Sequence, residues 1–143
     1  MDVDNITPEE LAALVKSHSD AELKERLADV DRGRAVERIL SEMPNRFKPN
    51  AASGVEADVV FEVLDEDQTH AGTISIRNGS CVAKPGVADD FQVKLTAPTV
   101  LFLKLITGKQ DGPSAFMTGQ LKIDGDIMLA SRLLGFFELP QSA

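Results

Sequence analysis

The sequence predicts an α+β fold: a five-stranded, largely antiparallel sheet covered on one face by helices, with an apolar cavity between the layers. Three observations lead to this prediction. The first third of the chain repeats apolar residues at helical spacing, and the middle alternates apolar and polar residues as strands do. The last third contains two helical segments with more apolar surface than one sheet face can cover.

The helical first third shows clear start signals. Residues 7–10 (Thr-Pro-Glu-Glu) and residues 19–22 (Ser-Asp-Ala-Glu) are capping boxes, each followed by an apolar stripe. The Asp-Arg-Gly sequence at residues 31–33 interrupts the pattern, so a third helix is expected over residues 34–47.

The strands are predicted from alternation and one turn motif. In the first strand, five apolar residues alternate with three acidic ones: Val55, Ala57, Val59, Phe61 and Val63 with Glu56, Asp58 and Glu62. Asn78-Gly79 is a strong signal for a two-residue hairpin. That turn places Cys81 opposite Ile76, so we expect Cys81 to lie in the interior. The sheet should have one dry face only. On this covered face we expect Phe61, Ile74, Ile76, Phe91, Val93, Leu121 and Ile123.

Two helical segments in the last third are unusually apolar. Residues 98–107 contain Lys104 as their only charged residue. In residues 127–137 the apolar side chains span an arc of roughly 180°, whereas a stripe that packs on one layer needs about 100°. The surplus must contact a second apolar body, which we interpret as a ligand in a cavity.

A motif in the last third resembles a known family. Residues 119–125 (Gly-Gln-Leu-Lys-Ile-Asp-Gly) read as a glycine-bounded strand between the Ala115-Phe116 turn and the apolar helix that starts at Ile127. This arrangement is similar to the sterol carrier protein type 2 (sterol-binding) family. Many relatives have a glutamine just before the Ala-Phe pair, where this chain has Gly-Pro-Ser.

The resemblance implies a function and a division of the chain. It implies non-enzymatic binding and intracellular carriage of sterols, fatty acids, fatty acyl chains or related lipids. The sterol-carrier-like domain would occupy residues 34–143, preceded by an N-terminal helical extension, residues 1–33. As lipid contacts we predict Phe61, Ile74, Ile76, Phe91, Val93, Leu101, Leu105, Phe116, Leu121, Ile123, Leu129, Leu133 and Phe137.

The C-terminal helix should be the wall or lid of the lipid site and the element that moves when ligand enters. One half of its apolar arc would hold the helix on the sheet and the other half would face ligand. Leu133 and Phe137 are the residues we expect to face the ligand.

Composition and motifs exclude several other classes. The net charge of −8 repels phosphate backbones, which argues against nucleic acid as a partner. No apolar run approaches the roughly 20 residues of a membrane span, so stable membrane insertion is not expected. One cysteine excludes a disulfide framework, and the chain shows no catalytic, metal or cofactor motif. We therefore expect a cytoplasmic protein that is not an enzyme.

Two alternatives remain open on the sequence. The chain could be an accessory domain that presents a lipid or steroid substrate to a partner enzyme. It could also be a structural dimerisation domain with no ligand, whose apolar helices are buried in a homodimer.

Overall fold

The structure is a computed structural model, and it describes residues 5–138. The helices and strands are α1 (Pro8–Ser17), α2 (Asp20–Leu27), α3 (Arg32–Glu42), β1 (Ala57–Asp65), β2 (Gln68–Arg77), β3 (Ser80–Pro85), β4 (Val93–Pro98), α4 (Thr99–Ile106), α5 (Gly112–Met117), β5 (Lys122–Gly125) and α6 (Ile127–Leu133). One-turn 3₁₀ helices follow α3 at Met43–Arg46 and α6 at Leu134–Phe136.

The five strands form one mixed sheet, as predicted. Their order is β3-β2-β1-β4-β5, with β1 and β4 parallel and the other neighbours antiparallel. Helices pack on one face, where the Phe61 ring meets the Phe102 ring of α4 at a centroid distance of 6.1 Å. Leu40 of α3 packs over Gly72 on the same face, and a Cβ atom at Gly72 would lie 2.5 Å from its Cδ1.

The Asn78-Gly79 hairpin is confirmed in its turn and in its register. Both residues have positive φ, 52° at Asn78 and 74° at Gly79, as a type I′ turn requires. Arg77 pairs with Ser80 and Ile76 with Cys81. Cys81 packs against the core but is only half-buried, because β3 is an edge strand.

The Cys81 thiol should react slowly with a maleimide in native buffer. Burial raises the pKa of the thiol to about 11, so little thiolate, the reactive form, is present at neutral pH. We expect the labelling rate, measured by mass spectrometry, to increase as the pH rises toward 11. At a fixed pH, the rate should also increase when denaturant is added. Equal rates at pH 7 in native buffer and in denaturant would contradict this placement.

Both N-terminal capping boxes form, but the third helix begins earlier than predicted. Asp31 accepts a hydrogen bond from the Arg34 backbone N–H at 3.1 Å, so the helix starts at Arg32 and includes Gly33. The α-helix also ends at Glu42 rather than at residue 47, because a proline at residue 44 cannot donate the next backbone hydrogen bond.

The N-terminal helices share the core of the sheet. Leu11 and Val15 of α1 and Leu23 of α2 belong to the same buried cluster as the strand residues. The start of α3 is tied to the β1–β2 hairpin by Asp65, which pairs with Arg32 and lies 3.0 Å from a ring nitrogen of His70. Burial acts to raise the pKa of Asp65, but the hydrogen bonds from His70 and Arg32 outweigh it and lower this pKa. The division of the chain at residue 33 stays a prediction.

The prediction of only one dry face is wrong. Val60, Thr73 and Ser75 point to the face opposite the helices and are nevertheless buried. The connection from β3 to β4 covers this face at Thr73, whose hydroxyl donates to the Gly86 carbonyl at 2.9 Å and accepts from the Ala88 N–H at 3.1 Å. Val60 interrupts the alternation of β1 and was a local sign of burial on this face. The alternation could not reveal the cover over Thr73, because an irregular connection supplies it.

Two strands begin later in the chain than predicted, β4 at Val93 and β5 at Lys122. Phe91 precedes β4 and is half-buried, with the Lys94 ammonium group 5.6 Å from its ring centroid. It therefore lies outside the strand that was expected to hold it on the covered face. Leu121 precedes β5 because its backbone N–H bonds to the Ala115 carbonyl at 3.0 Å in the turn after α5.

Candidate functional site

An apolar pocket lies between the sheet and helices α4, α5 and α6; we call it the sheet pocket. It encloses about 800 Å³ of space between atoms, part of it open to solvent. Its apolar lining includes Phe61, Val63, Leu95, Ala97, Phe102, Leu105, Ile106, Phe116, Leu121, Ile123, Ile127, Ala130 and Leu134.

The floor of the sheet pocket is a row of apolar side chains across three strands. Phe61 of β1 lies beside Leu95 of β4, and Leu95 lies beside Ile123 of β5. Side chains on alternate residues of a strand share a face, so these three point toward the helices. The floor therefore follows directly from the alternation of the sequence and the order of the strands.

Helices α5 and α6 form the walls, and each has a side-chain cap at its start. The Asp111 carboxylate accepts from the Ser114 N–H and the Asp126 carboxylate from the Leu129 N–H, both at 3.0 Å. Gly119, with φ of +80°, reverses the chain after α5 as predicted. Local sequence signals thus place both walls.

Residues 136–138, where the described part of the chain ends, are held by backbone hydrogen bonds. The Lys48 N–H donates to the Phe136 carbonyl and the Glu138 N–H to the Arg46 carbonyl, both at 2.7 Å. The Phe137 ring also packs on the ring of Phe47, with 5.8 Å between centroids. We therefore describe α6 as a wall of the pocket; its movement as a lid stays a prediction.

The polar groups of the sheet pocket are few and already have partners. The Glu62 carboxylate accepts a hydrogen bond from the Thr96 hydroxyl at 3.2 Å, and the Ser131 hydroxyl donates to the Met128 carbonyl at 2.8 Å. Within residues 5–138 no cluster of His, Cys, Asp or Glu could hold a metal ion. The site can therefore hold a ligand chiefly through apolar contact.

The predicted ligand contacts fall into two groups. Those that line the sheet pocket are Phe61, Leu105, Phe116, Leu121 and Ile123. The others do not line this pocket. Seven of them are buried in the core: Ile74, Ile76, Val93, Leu101, Leu129, Leu133 and Phe137. Phe91 lies in the loop before β4. Ligand contact by any of these residues stays a prediction.

The structure adds lining residues that our site prediction omitted. Ile127, Ala130 and Leu134 follow one another at spacings of three and four residues and face the sheet pocket. Their periodicity was visible in the sequence, since they belong to the predicted apolar arc of the C-terminal helix. The arc alone could not reveal which of its halves faces the sheet pocket. In the structure, the half without Leu133 faces it.

Among residues 5–138, none of the helices has the length and apolar character needed to cross a bilayer. The predicted cytoplasmic location stays a prediction.

Comparison with known proteins agrees with this architecture. The chain is 28% identical over 104 residues to a "Fatty acid-binding protein" of Yarrowia lipolytica, an alignment that covers 69% of this chain and 81% of that protein. The apo form of Sterol Carrier Protein 2 from Yarrowia lipolytica has the same fold, with a TM-score of 0.62 and 22% identity over 77% of this chain and 94% of that one.

A third likeness is to part of an enzyme. The inverting sec-alkylsulfatase Pisa1 from Pseudomonas sp. aligns with a TM-score of 0.62 and 21% identity, over 74% of this chain but only 17% of the sulfatase. The match that establishes the family is to a family model, "SCP-2 sterol transfer family", over residues 36–138. Since this match spans most of the chain, including every strand and helices α4 to α6, the protein belongs to the SCP-2 sterol transfer family.

Proposed function

We propose that the protein is a non-enzymatic lipid carrier, which binds a fatty acid, fatty acyl chain, sterol or related lipid in the sheet pocket. The observation that carries the proposal is the pocket itself, a space between the sheet and the helices whose lining is almost entirely apolar. Each Å² of apolar ligand surface removed from water contributes about 25 cal/mol, so a long-chain ligand needs few polar contacts. The names of the fatty acid-binding relative and of the sterol carrier with the same fold support this proposal.

Exposed apolar side chains at the mouth of the pocket suit exchange of lipid with a membrane surface. Phe116, Met117 and Ile127 line the pocket and are also exposed, and Met128 beside them is 75% exposed. A patch of this kind marks an interaction site. Because the protein carries a net charge of −8, we expect exchange to be faster with neutral vesicles than with anionic ones.

The accessory-domain alternative has one specific observation in its favour. The fold of this chain corresponds to 17% of the sec-alkylsulfatase named above, so the fold also occurs as part of an enzyme. An accessory domain would form a stable complex with a partner enzyme and would not exchange lipid with vesicles alone.

A contact-quenching experiment tests the lipid site. The protein contains no tryptophan, so Met117→Trp creates a single reporter at the pocket mouth. A brominated fatty acid should quench this tryptophan saturably, because bromine quenches only groups close to it. Val87→Trp is the matched control, since Val87 is 51% exposed on the connection across the other face of the sheet.

The result expected is quenching of the Met117→Trp protein with little change in the Val87→Trp protein. Native mass spectrometry of the wild-type protein should show one lipid per chain. Equal quenching of both reporters, or quenching of neither, would contradict a lipid site in the sheet pocket.

A further inference from the structure

A second apolar pocket lies on the other side of α4, and we call it the helical pocket. Its walls are α1, α3, α4 and the end of the described chain, and it encloses about 1,000 Å³ of space between atoms, part of it open to solvent. Apolar lining residues include Ile6, Leu11, Val36, Ile39 and Leu103. Most of this lining comes from residues 6–46, so the N-terminal helices build a space that the sheet does not.

The two pockets meet at a pair of side chains. Ile106 at the end of α4 and Leu134 at the end of α6 line both pockets. Leu134 is half-buried and begins a 3₁₀ turn, at a point where the regular helix has ended. The Leu134 side chain therefore stands between the two spaces at a place where a change of rotamer would not disturb the core of a helix.

The charged rim of the helical pocket is largely compensated within the protein. Three arginines belong to this rim: Arg32 pairs with Asp65, Arg46 pairs with Glu9, and Arg38 is not without a partner either. Glu42 and Glu138 add negative charge to the same lining. The chemistry of this space therefore suits hydrocarbon rather than an anionic group.

We propose that the two pockets form one two-chamber site for a single long acyl chain, with the helical pocket as the distal chamber and Ile106 and Leu134 as the neck between them. This inference rests on the proposed function. A flexible chain passes a neck of two side chains, whereas a rigid sterol ring system does not. Each methylene group that continues into the distal chamber increases affinity about fourfold, which makes long chains the preferred ligands.

Binding of saturated fatty acids of increasing length tests the two-chamber site. Affinity is measured by displacement of a fluorescent fatty acid. For the wild-type protein, affinity should rise about fourfold with each added methylene. The rise should continue after the chain is long enough to fill the first chamber, because further methylene groups enter the second. Ala35→Phe fills the distal chamber from α3, so its affinities should stop rising at a shorter chain.

Two further variants keep the test decisive. Ala13→Phe is the matched control, because Ala13 is exposed on α1 and lines neither chamber, and its length profile should equal that of the wild-type protein. Leu134→Trp blocks the neck itself and should also shorten the limit. Melting temperatures will show whether Ala35→Phe folds. If it does not, the length profile of Leu134→Trp tests the two-chamber site independently.

The outcomes separate this inference from the proposed function. Wild-type length profiles in both Ala35→Phe and Leu134→Trp would overturn the two-chamber site and leave lipid carriage standing. Two fatty acids bound per chain would overturn the single-chain assignment. A wild-type protein that binds no fatty acid of any length would overturn both.

Discussion

Replacing Gly125 with alanine should destabilise the fold by about 3–5 kcal/mol, because it combines backbone strain with a steric clash. Gly125 ends β5 with φ of +108°, a region that residues with a side chain rarely adopt. A Cβ atom there would lie 2.3 Å from the backbone carbonyl oxygen of Gln92, which cannot rotate away as a side chain can. That carbonyl also accepts the Asp126 N–H at 2.9 Å, so the clash would disturb the start of α6.

Two other glycines separate the strain from the clash. Gly119 has φ of +80° but open space around its Cβ position, so Gly119→Ala should cost about 1–2 kcal/mol. Gly135 has neither positive φ nor a close neighbour, and Gly135→Ala should change stability by less than about 1 kcal/mol. Urea unfolding of the three variants measures the series. Equal losses at Gly125 and Gly119 would show that the strand end moves away from Gln92.

Ala130→Trp should weaken fatty-acid binding by at least about tenfold and change stability little. Ala130 lines the sheet pocket from α6, so an indole group there would occupy space that the ligand needs. The loss corresponds to about 1.4 kcal/mol, which is less than two buried methylene groups contribute. Displacement of a fluorescent fatty acid measures the binding, and urea unfolding measures the stability.

The neighbouring residue Leu133 should behave in the opposite way. Its side chain is fully buried in the core and does not line the sheet pocket, so Leu133→Ala should cost about 2–5 kcal/mol of stability. At a temperature where this variant is still folded, its fatty-acid affinity should stay close to that of the wild-type protein. A loss of affinity in this variant would instead support the sequence-based prediction that Leu133 faces the ligand.

Met128→Trp is the matched control for Ala130→Trp. Met128 lies on the same helix, is 75% exposed and lines no part of the sheet pocket, so tryptophan there should leave binding unchanged. If Met128→Trp weakened binding as much as Ala130→Trp, the helix would act through its overall stability. The two halves of α6 would then not have separate roles.

The sequence by itself determined the features that depend on neighbouring residues. Two capping boxes, the Asn78-Gly79 turn and the left-handed Gly119 are all present where local patterns placed them. The alternation that placed Phe61 and Ile123 on the covered face likewise holds, because a strand sends successive side chains to opposite faces whatever surrounds it. The motif in residues 115–134 indicated the family that the comparisons establish.

The tertiary structure alone decided which parts of those elements are buried, and by what. The apolar arc of the C-terminal helix can be read from the sequence. Only contacts with distant segments divide this arc into a core half with Leu133 and a pocket half with Ala130. The burial of Thr73 under the β3–β4 connection and the contact of Gly125 with Gln92 have the same origin. Each joins groups that are far apart in sequence or held by irregular backbone, and local periodicity contains no information about such pairs.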